Sequence, residues 1–382
     1  MRIGIDARFY GPDSKGIGRY TQKLIIHLER IDHENEYIIF LRKNNYDLYV
    51  PQQKNFTKAI ADYQWYSFGE QFFFPYILYK YHCDLIHFAH FNVPIFYWKK
   101  FIVTIHDLIL LHYPTRKAST RNALFYWIKF AMYRLVIYMA VKKAIKIIAV
   151  SRFTKKDICE RYPSVCAKTI VIYEAAEIKE NAVMHDESFF VSYGIMKPYM
   201  LYVGNAYPHK NLYALIDAFA QYIKNGGKVT GLVLVGKKDY FYAGIIQYIK
   251  KNQIENIVIL DTVDDQQLQM LYQSAHLFVF PSLYEGFGLP PLEAQLYHIP
   301  VLSSDHSCMR EILSHDGAVY VDTLNTAVFA SAMHEIACNT HKRKKLIAVG
   351  YSNAIKYSWE IMAEQTYNIY KNLANGWRSK KK

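Results

Sequence analysis

The stretch Pro281-Ser282-Leu283-Tyr284-Glu285-Gly286-Phe287-Gly288-Leu289-Pro290-Pro291-Leu292-Glu293 follows directly on the apolar run Leu277 to Phe280. Four apolar residues in a row read as a strand buried on both faces of a parallel sheet. Gly286 and Gly288 let the backbone approach a ligand closely. Pro290 and Pro291 suit the first turn of a helix, where a missing N–H costs little. The segment therefore reads as strand, tight loop and helix N-terminus, with Glu285 in the loop and Glu293 in the first helical turn. In open parallel sheets ligands sit at such strand ends, and helix N-termini attract phosphate.

The same alternation of short apolar runs and longer helical patterns extends both ways from this point. In the first half the strand candidates are Arg2–Ala7, Tyr37–Leu41, Leu85–Phe88, Phe101–Ile105, Ile145–Val150 and Thr169–Tyr173. In the second half they are Met200–Val203, Gly231–Val235, Ile257–Leu260, Leu277–Phe280, Val301–Ser303 and Ala318–Val321. Strands alternating with helices predict doubly wound parallel sheets, and 382 residues predict two domains. Glu174 to Pro198 is polar and aperiodic, so the linker is placed there. The divisions are 1–180, 181–358 and a helical tail over 359–382.

Composition excludes several classes. Five cysteines, odd in number and without a Cys-x-x-Cys pair, argue against a disulfide framework or zinc ribbon and fit a reducing cytosol. No signal peptide is visible at Met1-Arg2-Ile3-Gly4-Ile5-Asp6. Residues 123–149 form the most membrane-like window, but Lys129 and Arg134 within it would each cost roughly 2.5–3.5 kcal/mol in hydrocarbon. It reads as a long core helix leading into a strand. Residues 1–180 hold 27 Lys and Arg against 16 Asp and Glu, which is +11 of the whole chain's +13. Such a first half suits an anionic lipid surface; ordinary solvated faces of a Lys-rich chain are the alternative. No nucleic-acid-binding module is recognisable.

Three further segments sit where chemistry is expected. Gly204-Asn205-Ala206-Tyr207-Pro208-His209-Lys210-Asn211 follows a strand and places a cation where anionic charge could be stabilised. Gly16-Ile17-Gly18-Arg19-Tyr20 follows the first strand and opens a helix to about Glu29, an arrangement that cradles anions but equally serves a plain loop-to-helix turn. His106-Asp107 ends the strand Phe101–Ile105. His87, His90 and His112 lie close in sequence, yet they give no regular ligand face and no carboxylate cluster accompanies them, so no metal site is expected.

Glu285 and Glu293, with Gly-Phe-Gly and the double proline between them, resemble the signature of retaining glycosyltransferases of family 4, which have the GT-B fold. The likeness extends along nearly the whole chain. It implies two Rossmann-like domains facing a cleft, with a C-terminal helix crossing back to the first. It implies Glu285, His106 and Lys210 as the catalytic group: Glu285 and His106 on the donor sugar, Lys210 on the leaving diphosphate. The resemblance further implies donor binding by Gly16, Gly18, Asn205, His209, Gly286, Phe287, Gly288, Leu289 and Glu293, with Glu293 on the ribose hydroxyls. Many family members carry an arginine at one of two places where this chain has Asn205 and His209, so His209 supplies a second cation only when protonated. His90, Asn92, Asp6, Arg8 and Arg19 are candidates for the acceptor side.

Ile3-Gly4-Ile5-Asp6-Ala7-Arg8-Phe9, Gly16–Tyr20 and Thr104-Ile105-His106-Asp107 look most like bacterial mannosyl- or rhamnosyltransferases of polysaccharide assembly. The implied activity is hexosyl transfer from a nucleotide-diphosphate sugar, GDP-mannose foremost, to a glycan or lipid-linked glycan. No cofactor or metal is called for. The implied location is the cytoplasm, at the inner face of its membrane. A nucleotide-sugar epimerase of the same fold and a catalytically silent nucleotide-sugar-binding subunit remain the alternatives.

Overall fold

The computed structural model describes residues 1–114, 123–178 and 186–378. The chain divides into two compact units, Met1–Glu174 with Ser358–Lys382, and Ala175–Tyr357. The first boundary falls inside the polar segment Glu174–Pro198, part of which lies outside the described residues. The C-terminal helix Trp359–Arg378 belongs to the first unit, where it packs on the helix Lys15–Ile31. Tyr370 of that helix is fully buried, its hydroxyl 2.6 Å from His87 Nδ1 on the central sheet.

The first unit holds seven strands: β1 Arg2–Asp6, β2 Glu36–Leu41, β3 Phe56–Ile60, β4 Leu85–Phe88, β5 Phe101–Ile105, β6 Lys146–Ala149 and β7 Thr169–Val171. Their order is β3-β2-β1-β4-β5-β6-β7 and every pairing is parallel. The second unit holds β8 Tyr199–Val203, β9 Gly231–Val235, β10 Ile257–Leu260, β11 Leu277–Phe280, β12 Val301–Ser304 and β13 Val319–Val321. Their order is β10-β9-β8-β11-β12-β13, again all parallel. In each sheet the winding reverses once, between β1 and β4 and between β8 and β11. Ligands bind at the carboxyl ends of strands flanking such a reversal.

Twelve strands match apolar runs in the sequence, and β3 does not. It is the edge strand, with Thr57 and Lys58 in the middle of Phe-Thr-Lys-Ala-Ile, and one-sided pairing needs no continuous apolar run. The window expected to form a long core helix is the helix Ala123–Lys143. Tyr133, Ile137, Ala140 and Val141 join the core, but Ile128, Met132, Leu135 and Tyr138 face outward. It is therefore core on one side only. Among the described residues no helix is long and apolar enough to cross a membrane.

The cysteines differ from expectation at one place. Cys159, in the helix Arg152–Arg161, and Cys166, in the following 3₁₀ segment Pro163–Lys168, are joined by a disulfide. The turn folds straight back on the helix and brings their Cα atoms to 5.0 Å, a local link that Cys-x-x-Cys spacing does not reveal. Cys83 and Cys308 are buried thiols and Cys338 is exposed.

Candidate active site

At the reversal in the second sheet, two loops leave neighbouring strand ends. The loop after β8 closes in a single 3₁₀ turn, Pro208–Lys210, and hands over to the helix Leu212–Lys224 through Asn211, which takes a left-handed conformation at φ 58°. The loop after β11 ends at Gly288, φ 99°, from which the helix Leu289–Leu296 starts. That φ is strained for any residue with a side chain. The helix begins late enough to put Glu293 in its second turn, not its first. Helix-end stabilisation, the bland explanation for a carboxylate there, is thus weakened.

The two loops are bound together. The Leu283 amide donates to the His209 carbonyl at 2.7 Å, and the Ser282 hydroxyl reaches the same oxygen at 3.3 Å. Asn211 Nδ2 donates to Thr323 Oγ1 at 3.2 Å, and Thr323 donates to the Pro281 carbonyl at 3.2 Å. On this platform Lys210 Nζ and Glu285 form a tight ion pair, both side chains nearly buried. Glu293 is buried and accepts from the Tyr272 hydroxyl at 2.9 Å. The three charges implied for donor binding thus lie on one pair of loops and the helix that follows.

His209 does not add a cation. Burial, helped by the neighbouring Lys210 charge, pushes its pKa down to about 4, so it is neutral at pH 7. Asn205 uses its backbone oxygen to receive the Tyr202 hydroxyl at 2.7 Å, which fixes the start of the loop. Two residues absent from the sequence reading hold the Gly-Phe-Gly loop from below. Ser307 Oγ accepts from the Glu285 amide at 3.1 Å. The buried Cys308 thiol lies 3.3 and 3.1 Å from the Glu285 and Phe287 carbonyls. They come from a turn after β12 that carries no motif, so sequence offers no signal for them.

In the first unit the Gly16–Tyr20 segment is already helical, since the helix begins at Lys15. A Cβ on Gly18 would lie 2.0 Å from the Gly11 carbonyl oxygen and 2.8 Å from that of Phe9. Gly18 is therefore required for the helix to close on its own loop, a packing role. His106 is buried, with Nδ1 2.7 Å from Glu174 and Nε2 2.9 Å from the Ala89 carbonyl. Burial works against its charge, but those two acceptors outweigh it and raise its pKa. The Ala89 carbonyl can only accept, so Nε2 donates to it, and Glu174 is a partner for Nδ1 that the sequence does not single out.

At the reversal of the first sheet lies a second constellation. Arg8 is fully buried and donates to Asp6 Oδ2 and Glu70 Oε1, both at 2.8 Å. Glu70 also accepts from Asn92 Nδ2 at 2.5 Å and from the Tyr66 amide at 2.7 Å. Above this network is a cavity of about 590 Å³ lined by Phe9, Gln64, Trp65, Tyr66, Ser67, His90 and Lys129. Phe9 stacks on Trp65 with centroids 4.2 Å apart. Among the described residues, Trp65 Nε1, His90 Nδ1 and Asn92 Oδ1 are buried without a hydrogen-bond partner. Tyr66 holds a left-handed φ of 59°, the kind of strain that collects at ligand sites. Arg19 is not placed in this constellation. Gln64 to Ser67 match no motif, and Ser67-x-x-Glu70 reads simply as a helix cap, so this site was only half visible in sequence. Of the three histidines considered as metal ligands, His87 touches Tyr370 and Thr104, and His112 touches Asp157.

Comparison with known proteins agrees with both units. Residues 14–179 match the family described as Glycosyltransferase Family 4, and residues 186–353 match Glycosyl transferases group 1. The chain belongs to the family 4 glycosyltransferases. It is 28% identical over 238 residues to the O-antigen chain mannosyltransferase RfbU of Salmonella typhimurium, covering 61% of this chain and 60% of that one. It is 32% identical over 176 residues to O-antigen chain mannosyltransferase B of Escherichia coli, covering 46% of each. The matches thus span about half to three fifths of these relatives' lengths. A sucrose-phosphate synthase from Thermosynechococcus elongatus superposes with a TM-score of 0.77 at 18% identity, covering 98% of this chain and all of that one. That likeness establishes the GT-B fold of this family 4 member.

Proposed function

We propose that this chain is a retaining hexosyltransferase that moves mannose from GDP-mannose to a glycan or lipid-linked glycan of a bacterial surface polysaccharide. The observation that carries the reading is the Lys210–Glu285 ion pair at the β8–β11 reversal, with Glu293 on the same loop and helix. The names of the mannosyltransferase relatives support mannose as the sugar and a polysaccharide as the product.

In this reading the diphosphate takes over Lys210, releasing Glu285 to orient the sugar. Lys210 and the loop amides stabilise the charge that develops as the nucleotide departs. His106 reaches a sugar hydroxyl by exchanging its bond to the Ala89 carbonyl. Glu293 holds the ribose. With no protein nucleophile assigned, the acceptor hydroxyl attacks on the face the phosphate leaves. The acceptor sugar stacks on Trp65 and Phe9 and pairs with the unpartnered Trp65 and His90 nitrogens. Protein cations and amides carry the charge, so no metal is called for. The basic first unit holds the enzyme at an anionic membrane surface.

A thermal-shift series with GDP-, UDP- and dTDP-sugars tests the donor. A ligand at a hundred times its Kd adds about 2.7 kcal/mol to native stability. GDP-mannose should raise the melting temperature most. A larger rise with a UDP- or dTDP-sugar reassigns the donor, and no rise with any of them rejects the reading.

A further inference from the structure

The helix Phe68–Lys80 is apolar on two opposite faces. One face, with Phe74, Pro75 and Leu78, is buried in the first unit's core. The other presents Phe68, Phe72, Phe73 and Tyr76, with Phe68 86% and Tyr76 68% exposed. On a helix packed against a sheet the outer face is ordinarily polar. The aromatic surface continues beyond the helix. Phe72 stacks on Phe96 at 4.8 Å, and Trp98, 69% exposed, lies two residues on. Lys143, at the end of the helix Ala123–Lys143, covers Trp98 at 3.3 Å and donates to the Ile95 carbonyl. That helix also carries the outward Ile128, Met132, Leu135 and Tyr138, of which Leu135 and Tyr138 line a separate hollow with Arg161 and Tyr162. Exposed apolar surface of this extent marks an interaction site.

Charge selects the partner. Residues 68–80, 91–105 and 123–150 contain Lys80, Lys99, Lys100, Lys129, Arg134, Lys142, Lys143 and Lys146, and their one carboxylate, Glu70, is buried against Arg8. Lys99 and Lys143 lie over the Tyr79 and Trp98 rings at 5.4 and 3.3 Å, and aromatic side chains mixed with lysines match the boundary of an anionic bilayer: rings settle at the headgroup level while ammonium groups reach lipid phosphate. Ser67, which caps the helix Phe68–Lys80, also lines the 590 Å³ cavity.

We propose that the outer face of the helix Phe68–Lys80, together with Phe96 and Trp98, is an interfacial membrane-docking surface specific for anionic lipid, which sets the mouth of the cavity close to the headgroups. This rests on the membrane association proposed above, and it gives that association a location.

The test is co-sedimentation of the full chain, without donor, with vesicles of phosphatidylcholine alone or containing 30% phosphatidylglycerol. Binding should require the anionic lipid and weaken as salt rises. Phe72→Ser/Phe73→Ser/Tyr76→Ser should reduce it by about tenfold or more, and Lys99→Gln by about fivefold. The melting-temperature rise with GDP-mannose should be unchanged in these variants, so the donor reading stands or falls separately. Equal binding by the triple variant, or binding indifferent to lipid charge, overturns the proposal. So does a lipid-free dimer that the same substitutions dissociate, which would assign the face to a second copy of the chain.

Discussion

The two sheets reverse their winding at equivalent places and put opposite kinds of chemistry there. At the β8–β11 reversal the ion pair Lys210–Glu285 is nearly buried but keeps an opening to solvent, with 14% of the lysine side chain and 10% of the glutamate side chain exposed. At the β1–β4 reversal the triad Asp6–Arg8–Glu70 is sealed beneath aromatic side chains, and the Arg8 side chain has no exposed surface. A diphosphate can displace the partner of an accessible lysine. A guanidinium locked by two carboxylates is not available for exchange; it fixes the floor on which Tyr66 and Asn92 stand. In the proposed reading one reversal exchanges partners, while the other holds a shape.

Removing Arg8 should break that contrast most severely. Arg8→Ala leaves Asp6 and Glu70 buried without their cation, and burial already lifts the Glu70 carboxyl above its ordinary value against the pull of Arg8. Loss of one partner from a buried pair costs about 3–5 kcal/mol. Denaturant unfolding should show a loss of that size. A loss under about 1 kcal/mol would mean the network carries no structural weight.

Lys210→Ala sharpens the other side. Turnover should fall by about 2–4 kcal/mol of transition-state stabilisation, the scale for deleting one charge-stabilising donor. Single-turnover kinetics with saturating donor measure it, alongside Glu285→Ala and the double variant. Because the two residues share one interaction, their effects should not add. Additive losses would separate them into independent sites.

These two sites also show how far the sequence could be read. The second was legible because its residues are consecutive: Glu285, the glycines, the prolines and Glu293 lie within nine positions, beside a strand made obvious by Leu277–Phe280. The supports of that same loop, Ser307 and Cys308, were not legible, because only the packing of a later turn brings them underneath. The first site was legible at its strand ends, Asp6, Arg8, His90 and Asn92. Its wall, Gln64 to Ser67, follows β3, an edge strand too polar to announce itself. The helix at Ala123–Lys143 was placed correctly, but apolar residues all round it read as core. A run that is apolar all round does not show which of its faces is packed against protein and which is exposed.

The smallest effect concerns two buried histidines, His209 and His106, which their surroundings shift in opposite directions. His209 is held down at about 4, whereas an unfolded histidine titrates near 6.5. A depressed histidine contributes stability that is fully present above the unfolded value and is lost as pH falls toward the folded one. From pH 7 to pH 6 that loss is about 0.7 kcal/mol. His106 is raised by Glu174, so its contribution is fully present below about 6.5 and is lost as pH rises through the folded value. His209→Asn should therefore flatten the acid limb of a stability–pH curve and leave the alkaline limb. His106→Asn should do the reverse. Unfolding free energies at pH 6, 7 and 8 for the three proteins decide it, and matching curves would show that neither ring changes its protonation on folding.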